Sequence, residues 1–556
     1  MINKGLTEAL KFSGDSKISQ LLKQLLSQME TQMTQIRVLN QIGMALSAEK
    51  DMGRLFEMII DEARTLTNAD GGTLYIMNEE FTELRFAIVQ NESLNVRMGG
   101  TGGEITWDPV KLLNPDGSKN YQNVSAYAAL SGEVVNISDV YHAEGFNFEG
   151  TRNFDLKTGY RSKSMLVVPM RNYENDVIGV LQILNCQDAL TGKAIPFSKD
   201  YQAMTESLAS QAAVALCNKK LLSSLEDLLD SFITSIASAI DEKSPYTGGH
   251  VRRVVDIAMT IAKKINETEK GVFKETFFSN EELDELRLAG WLHDVGKITT
   301  PEHVVDKATK LETVYDRIEL IKTRFEVLKR DAMIELLRES GRKTKGEENP
   351  EAQKRYENKV RKLEEDLVFL INGNIGSEFM ADEKLEILKT IAENTWELSG
   401  ETKRILSDDE VRNLSIRKGT LNDEEREIIN NHATVTLKML SQLPLPKKFK
   451  NMPYYAAAHH ERLDGRGYPK GLREEELPLQ ARILALADVF EALTAKDRPY
   501  KKGKTLSEAM KILGFMVKDK HLDPDLFELF VQEKFYLDYA ERELTREQID
   551  TDFISL

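Results

Sequence analysis

The distribution of imidazoles and carboxylates from residue 250 onward constrains the fold of the chain most strongly. Of the 8 histidines, seven follow residue 249. His250 stands in Gly248-Gly249-His250-Val251, and His293 in His293-Asp294-Val295-Gly296-Lys297. His432 comes next, then the run His459-His460-Glu461-Arg462-Leu463-Asp464-Gly465-Arg466-Gly467-Tyr468-Pro469, then Asp488 in Ala487-Asp488-Val489. Two adjacent histidines, a carboxylate and a Gly-rich, Pro-closed turn seldom sit together for packing alone. A fold that uses these groups must bring five distant stretches to one point, where they supply what a pair of catalytic metals needs.

Taken singly, each has an ordinary reading. A lone histidine such as His432 is more often structural, and His303 and His521 are read as structural or surface residues. The joint occurrence is what points to metal. On a helix, His293 and Lys297 share a face one turn apart with Asp294 beside them. One patch then holds a ligand, a bridging carboxylate and a cation for a substrate phosphate. His459 and His460 diverge by about 100° on a helix, so both reach one metal where the helix end faces the site. One metal takes His250, His293, Asp294 and Asp488. The second shares Asp294 and takes His432, His459 and His460. Nitrogen and oxygen sets with a bridging carboxylate suit iron or manganese and tolerate zinc. The use of such a pair is to lower the pKa of a bridging water, orient a phosphodiester and offset charge in an in-line displacement.

A length of 556 residues predicts several domains, and 41% hydrophobic with 29% charged content predicts a folded, largely helical protein. The net charge of −16 argues against nucleic acid as a partner, because phosphate-backbone binding needs clustered Lys and Arg. A small anion remains allowed where metals and local cations offset the field. Cys186 and Cys217 make neither a disulfide scaffold nor a Cys-rich zinc site. Without an 18-residue apolar run or an apolar leader, no membrane partner and a cytoplasmic location are expected.

Helical spacing predicts helices over about 15–48 and 52–66. Strand patterns follow at Gly72–Met77, Leu84–Val89, Val134–Ile137, Ser164–Met170 and Val177–Leu184. Helix returns from about Lys199 to Asp241. The fold class expected is therefore multidomain: an α+β module joined by a long helix to an all-α domain. The boundaries expected are 1–34 for an N-terminal helix, 35–220 for the α+β module, 221–245 for a connecting helix and 246–556 for the last domain. An insertion spans 311–418. In it Val314, Ile318, Ile321, Phe325 and Leu328, then Tyr356, Val360, Leu363, Leu367 and Leu370, repeat a heptad-like spacing around the polar stretch Glu339–Glu351. This reads as a helical hairpin.

The His-Asp pair at 293–294 and the His-His-Glu-x-x-Asp-Gly-x-Gly-Tyr-Pro run closely resemble the HD-GYP family of HD-domain metal phosphohydrolases. So do Ala481–Thr494 and Asp497-Arg498-Pro499-Tyr500-Lys501. The resemblance covers about 230–310 and 415–530. It implies hydrolysis of cyclic di-GMP to pGpG or GMP by two divalent metals. It assigns ligand roles to His250, His293, Asp294, His432, His459, His460 and Asp488, and a phosphate-contacting role to Lys297. Arg466, Gly467, Tyr468 and Pro469 would line the substrate groove. Arg498 and Lys501 would meet phosphate or guanine, and Glu461 and Asp464 would orient the histidines and the loop. Three departures stand out. Tyr246 replaces a Glu found in three-metal members, so two metals are expected. Ala433 follows His432 where the family has Pro, and a usual Gly nearby is missing. The insertion lengthens a short connection and is placed to crowd or gate the groove.

Phe154–Leu166 resembles a GAF domain, a module of cyclic-nucleotide phosphodiesterases and cyclases. Asp155, Thr158 and Tyr160 are its candidate ligand residues, or else they form the loop before a core strand. A further cyclic-nucleotide signature is only partly kept, in Asn185-Cys186, Phe197 and Asp200. A cyclic nucleotide, another small ligand and a ligand-free dimerisation module all remain open. A homodimer through the leucine-rich helices is expected. The rival readings are hydrolysis of another cyclic dinucleotide such as cyclic GMP-AMP, and a non-hydrolytic receptor signalling through partner proteins.

Overall fold

The computed structural model describes residues 16–242, 249–341, 350–495 and 503–551. The chain divides into two compact units, Met1–Asp227 and Leu228–Leu556. The first contains helices α1 (Ser16–Ala48) and α2 (Met52–Thr67), then strands β1 (Ala69–Met77), β2 (Glu83–Asn91), β3 (Val96–Gly99) and β4 (Val110–Lys111). Helix α3 (Val124–Ser131), β5 (Val135–Ile137), α4 (Glu149–Thr158), β6 (Met165–Arg171), β7 (Val177–Gln187) and β8 (Ala194–Ile195) follow. Helix α5 (Lys199–Asp241) is continuous across the division between the units.

The strands form one antiparallel sheet in the order β3-β2-β1-β7-β6-β5, with β4 on β2 and β8 on β7. Successive side chains point to opposite faces of a strand, and here both faces are apolar. Leu74, Ile88, Leu166, Leu181 and Ile183 pack with Ile59 and Ile60 of α2 and Leu208 and Ala212 of α5. Tyr75, Leu84, Val167 and Val180 pack with Val124, Ala126 and Ala128 of α3 on the other side. Strands β3, β4 and β8 are additions to the expected pattern; at four, two and two residues they are too short to show periodicity.

The second unit continues with α6 (His250–Glu267), α7 (Asn280–Leu292), a 3₁₀ turn at Val295–Thr299 and α8 (Glu302–Val305). The insertion follows as α9 (Ile318–Gly341), α10 (Pro350–Asn374), α11 (Asp382–Ala392), β9 (Thr395–Leu398), β10 (Glu401–Arg404) and α12 (Asp408–Leu414). Then come α13 (Asp423–Leu440), α14 (Met452–Ala457), α15 (Leu479–Thr494), α16 (Leu506–Lys518), α17 (Pro524–Gln532) and α18 (Phe535–Glu543). Capping boxes start α7 at Ser279 with Glu282 and α13 at Asn422 with Glu425. One core joins α6, α7 and α14–α18. No helix among the described residues is long and apolar enough to cross a membrane.

The insertion is more than the hairpin its heptads suggest. It has a core of its own, from Leu311, Ile318, Ile321 and Phe325 through Leu363, Leu370 and Leu388 to Ile405, Leu406 and Leu414. The hairpin β9–β10 makes the unit less than all-α. Val314 does not open α9: it lies in the turn before that helix and is 96% exposed. Residues 342–349 of the polar stretch between α9 and α10 lie outside the described residues. Because this core is separate, Phe325→Ala should cost about 3–5 kcal/mol locally. Hydrogen exchange should show protection lost within 311–414 while the sheet of the first unit keeps its protection.

Candidate metal centre

Five of the seven expected ligands sit at or just beyond the end of a helix, and two lie inside one. Helix α7 stops at Leu292, so His293 and Asp294 lie at its exit, and Lys297 sits in the 3₁₀ turn rather than on a shared α-helical face. Helix α14 stops at Ala457, so His459 and His460 are not helical either, and their ring centroids are 3.9 Å apart rather than splayed. His432 lies within α13, Asp488 within α15, and His250 is the first residue of α6.

Three imidazoles are aimed by one local device. The Nδ1 atoms of His293, His432 and His459 meet the carbonyl oxygens three residues earlier, Gly290 at 2.7 Å, Ile429 at 2.5 Å and Ala456 at 2.6 Å. Each bond leaves Nε2 facing inward as the free atom of the ring. Those three Nε2 atoms and Oδ1 of Asp294 are buried and engage in no hydrogen bond. Buried polar atoms are almost always satisfied, so four unsatisfied ones converging on one space fit a bound cation.

Asp294 divides that space. Its Oδ2 lies 3.3 Å from His293 Nε2, 3.8 Å from His250 Nε2 and 2.5 Å from Lys297 Nζ. Its Oδ1 lies 3.3 Å from His432 Nε2 and 4.0 Å from His459 Nε2. Asp488 Oδ1 lies 3.3 Å from His250 Nε2. Within the described residues three groups have donor atoms all within 4.8 Å of one another: His250, His293 and Asp488; His432, His459 and His460; and His293, Asp294 and His459. The donors are imidazole nitrogens and carboxylate oxygens without sulfur, a set suited to iron, manganese or zinc.

Charge divides the histidines the same way. Burial alone would raise Asp294, but Lys297 and His293 outweigh it and hold the carboxyl well below its usual range. Burial would likewise raise Asp488, and His250 holds it down. Burial would lower His250, yet Glu491 and Asp488 push it up to about 10, and Asp294 raises His293 against the same penalty. His432, His459 and His460 have too little compensating charge. Burial holds all three below the ordinary histidine value, His460 at about 3. One group is thus three neutral imidazoles, and the other is a carboxylate-rich group in which a proton stands where a metal would stand.

The surrounding loop is tied from behind. Glu461, 1% exposed, accepts from the backbone N–H of Lys470 at 2.7 Å and of Leu472 at 2.9 Å, closing the 461–472 loop on itself. Asp464 accepts from the Arg466 backbone N–H at 3.0 Å and pairs with Arg462 at 3.2 Å. A Cβ on Gly467 would fall 2.4 Å from the Glu461 backbone. Tyr468 faces His460, with ring centroids 4.8 Å apart, and Pro469 follows it; Arg466 is exposed. Arg498, Lys501 and Tyr246 lie outside the described residues.

Three contributors were not read from the sequence. Glu491 contacts His250, Arg253 contacts Glu491, and Thr436 clamps the site's backbone. Thr436 Oγ1 accepts from Gly296 N–H at 3.0 Å and donates to His293 O at 3.1 Å. The i,i+3 spacing of Asp488 and Glu491, and of His250 and Arg253, was the available signal.

In the first unit, Asp155 accepts from Ser162 N at 2.8 Å, Ser162 Oγ at 2.9 Å and Tyr141 OH at 3.1 Å. Thr158 Oγ1 donates to Phe154 O at 2.8 Å. Tyr160 OH donates to Asp70 at 2.5 Å and accepts from Asn185 Nδ2 at 2.9 Å. Asp155 and Thr158 lie on α4 rather than in the loop before β6: Asp155 holds Ser162 of that loop, Thr158 bonds within its own helix, and Tyr160, in the loop, reaches Asp70 of β1 and Asn185 of β7.

Residues 51–216 match the GAF domain family, and residues 247–371 and 407–526 match two HD domain families. Over 131 residues the chain is 37% identical to a cyclic di-GMP phosphodiesterase of Thermotoga maritima, a match covering 23% of this chain and 35% of that protein. It is 38% identical over 131 residues to a 3′3′-cGAMP-specific phosphodiesterase of Vibrio cholerae, covering 22% and 29%. The match thus spans about a third of the length of these curated relatives. Among solved structures, a GAF domain from a Coxiella burnetii phosphoenolpyruvate-protein phosphotransferase is 14% identical, with a TM-score of 0.25, over 34% of this chain and 98% of that one.

Two outcomes follow from the geometry. A Cβ on Gly296 would lie 2.0 Å from His432 O and 2.7 Å from Thr436 N. Gly296→Ala should therefore push α13 away and lower stability by about 1–3 kcal/mol, read as a fall in Tm of the metal-free protein. At about 10, His250 carries a proton at pH 7 when no metal is bound. A metal taken up at Nε2 would displace that proton, so uptake should release protons and tighten as pH rises toward 10. Calorimetry in buffers of different ionisation enthalpy checks this, and heats independent of buffer would contradict it.

Proposed function

We propose that this chain, which joins a GAF domain to an HD-type domain, is a metal-dependent phosphodiesterase of cyclic di-GMP, giving pGpG or GMP, under control of its GAF unit. One observation carries the reading. Asp294 turns one oxygen to His250 and His293 and the other to His432 and His459, whose inward nitrogens are otherwise unspent. His250, His293, Asp294 and Asp488 would hold one divalent ion, and Asp294, His432, His459 and His460 another; iron or manganese suits both sets. The pair supplies acidification of a water and neutralisation of phosphate charge.

The chain's own groups do the rest. Lys297, already drawn to Asp294, offers its ammonium to the non-bridging phosphate oxygens. Arg466, Gly467, Tyr468 and Pro469 line the groove for the dinucleotide, held in shape by Glu461 and Asp464. Arg498 and Lys501 are proposed as further contacts. The histidines hold metal rather than move protons, since Nδ1 of His293, His432 and His459 is committed to backbone carbonyls.

Cyclic GMP-AMP is the second reading, favoured by the likeness to the Vibrio cholerae enzyme. The unpaired Cys186 and Cys217 fit a cytoplasmic location. Control by the GAF unit is supported by Asp241, the last residue of α5, which accepts from the backbone N–H of Val251 at 3.3 Å, next to His250. A cyclic nucleotide is the candidate GAF ligand. The bonds of Asp155 and Tyr160 support a role in holding the loop before β6 over direct contact with a ligand. A homodimer is supported by Leu221, Leu225 and Leu228, all more than half exposed along α5.

Anaerobically purified protein should contain about two metals per chain and cleave cyclic di-GMP faster than cyclic GMP-AMP. The reverse preference would select the second reading, and binding without a cleaved product would select a receptor. His293→Ala with Asp294→Ala should remove both metal and turnover while the circular dichroism of the GAF unit persists. Undiminished hydrolysis in that double variant would refute the assignment. Leu221→Glu with Leu225→Glu should convert a dimer to a monomer by light scattering.

A further inference from the structure

His250 cannot use the device that aims the other buried imidazoles. Each of those borrows a carbonyl three residues back, which requires a turn of structure upstream. His250 is the first residue of α6, and its N-cap, Gly249, has φ +84°. No turn of its own helix precedes it. Its Nδ1 instead meets Oε2 of Glu491 in α15, 241 residues away in sequence. Glu491 is 0% exposed, and its other oxygen accepts from Arg253 Nε at 2.6 Å. Arg253, itself 8% exposed, stands one turn into the helix that His250 begins. Asp488 and Glu491 share a face of α15, so one helix brings a carboxylate to each nitrogen of the same ring: Asp488 to Nε2 at 3.3 Å and Glu491 to Nδ1.

We propose that Glu491, fixed by Arg253, is the positioning residue that aims His250 Nε2 at the metal shared with His293 and Asp488, in place of the helical carbonyl His250 lacks. This rests on the two-metal reading above. A fully buried carboxylate carries a desolvation cost that packing does not offset. A carboxylate behind a ligating imidazole fixes the tautomer and strengthens the donor, and losing such a partner typically weakens metal binding 10- to 100-fold. The effect is selective: the cluster of His432, His459 and His460 makes no contact with Glu491 among the contacts described, so its ion should be unaffected.

The test is Mn²⁺ binding to the full chain after chelation, followed by calorimetry. Wild type should take up two ions. Glu491→Ala should weaken one by about 10- to 100-fold and leave the other unchanged. Glu491→Gln, which keeps an acceptor for Nδ1–H, should recover part of that loss. In a His250→Ala background, adding Glu491→Ala should change nothing further, because the residue acts through the imidazole. A merely structural Glu491 would lower the Tm of the metal-free protein and leave both affinities at wild-type values, which would overturn the proposal. Should the Ala variant not fold, Glu491→Gln decides alone, and two unaltered affinities overturn it equally. Wild type that takes up no Mn²⁺ would remove the two-metal reading itself, a result distinct from the selective one.

Discussion

A buried carboxylate flanked by imidazoles organises the second unit. Asp294 is 5% exposed, and an anion so buried is tolerable only where cations or donors surround it. Its two oxygens answer to different parts of the chain, one to the segments at 250, 293 and 297, the other to those at 432 and 459. The backbone is held to the same tolerance. Gly296 lets α13 approach so closely that no side chain fits, and Thr436 bonds both Gly296 N–H and His293 O.

Charge is distributed asymmetrically around this pivot. On one side Asp488, Asp294 and Glu491 surround two histidines, and on the other three histidines sit with little compensation. Two ions bound there would have different affinities and pH dependences, because one must displace a proton from a carboxylate-rich cluster while the other meets neutral rings. The partners of Nδ1 divide the rings differently: backbone carbonyls meet those of His293, His432 and His459, and a side-chain carboxylate meets that of His250. A carbonyl three residues back comes with the local turn, whereas a carboxylate from another helix must be supplied by the fold.

The insertion separates Lys297 from His432 in sequence without separating the groups they serve. It closes its own core, and a buried network anchors its base: Lys307 Nζ bonds Glu425 at 2.7 Å and Asn413 at 3.2 Å, and Glu425 caps α13 with Asn422. Helix α13, which carries His432, therefore starts from a fixed point. Long insertions are cheap thermodynamically when their ends already lie together.

Most of the fold was legible because its signals are local. The strands at 69–77, 83–91, 165–171 and 177–187 and the helix Lys199–Asp241 stand out by apolar spacing, which each stretch carries by itself. Short strands, and the small core beyond the hairpin, have no period long enough to read. The seven candidate ligands were legible for a chemical reason: imidazoles and carboxylates in such runs have few other uses. Their placement was not. Sequence spacing assigned His293 with Lys297, and His459 with His460, to helices that in fact end just before them, since a helix end is decided by capping and tertiary contact. Glu491 and Arg253 looked like ordinary charged helix residues until α6 and α15 were packed together. The amino-acid order thus determined which imidazoles and carboxylates are the candidate ligands and most of the long elements. Only the packed chain decided where the helices end, and hence which carbonyl three residues back takes Nδ1 of His293 and His459, and only it brought Glu491 to Nδ1 of His250, because that contact joins segments 241 residues apart.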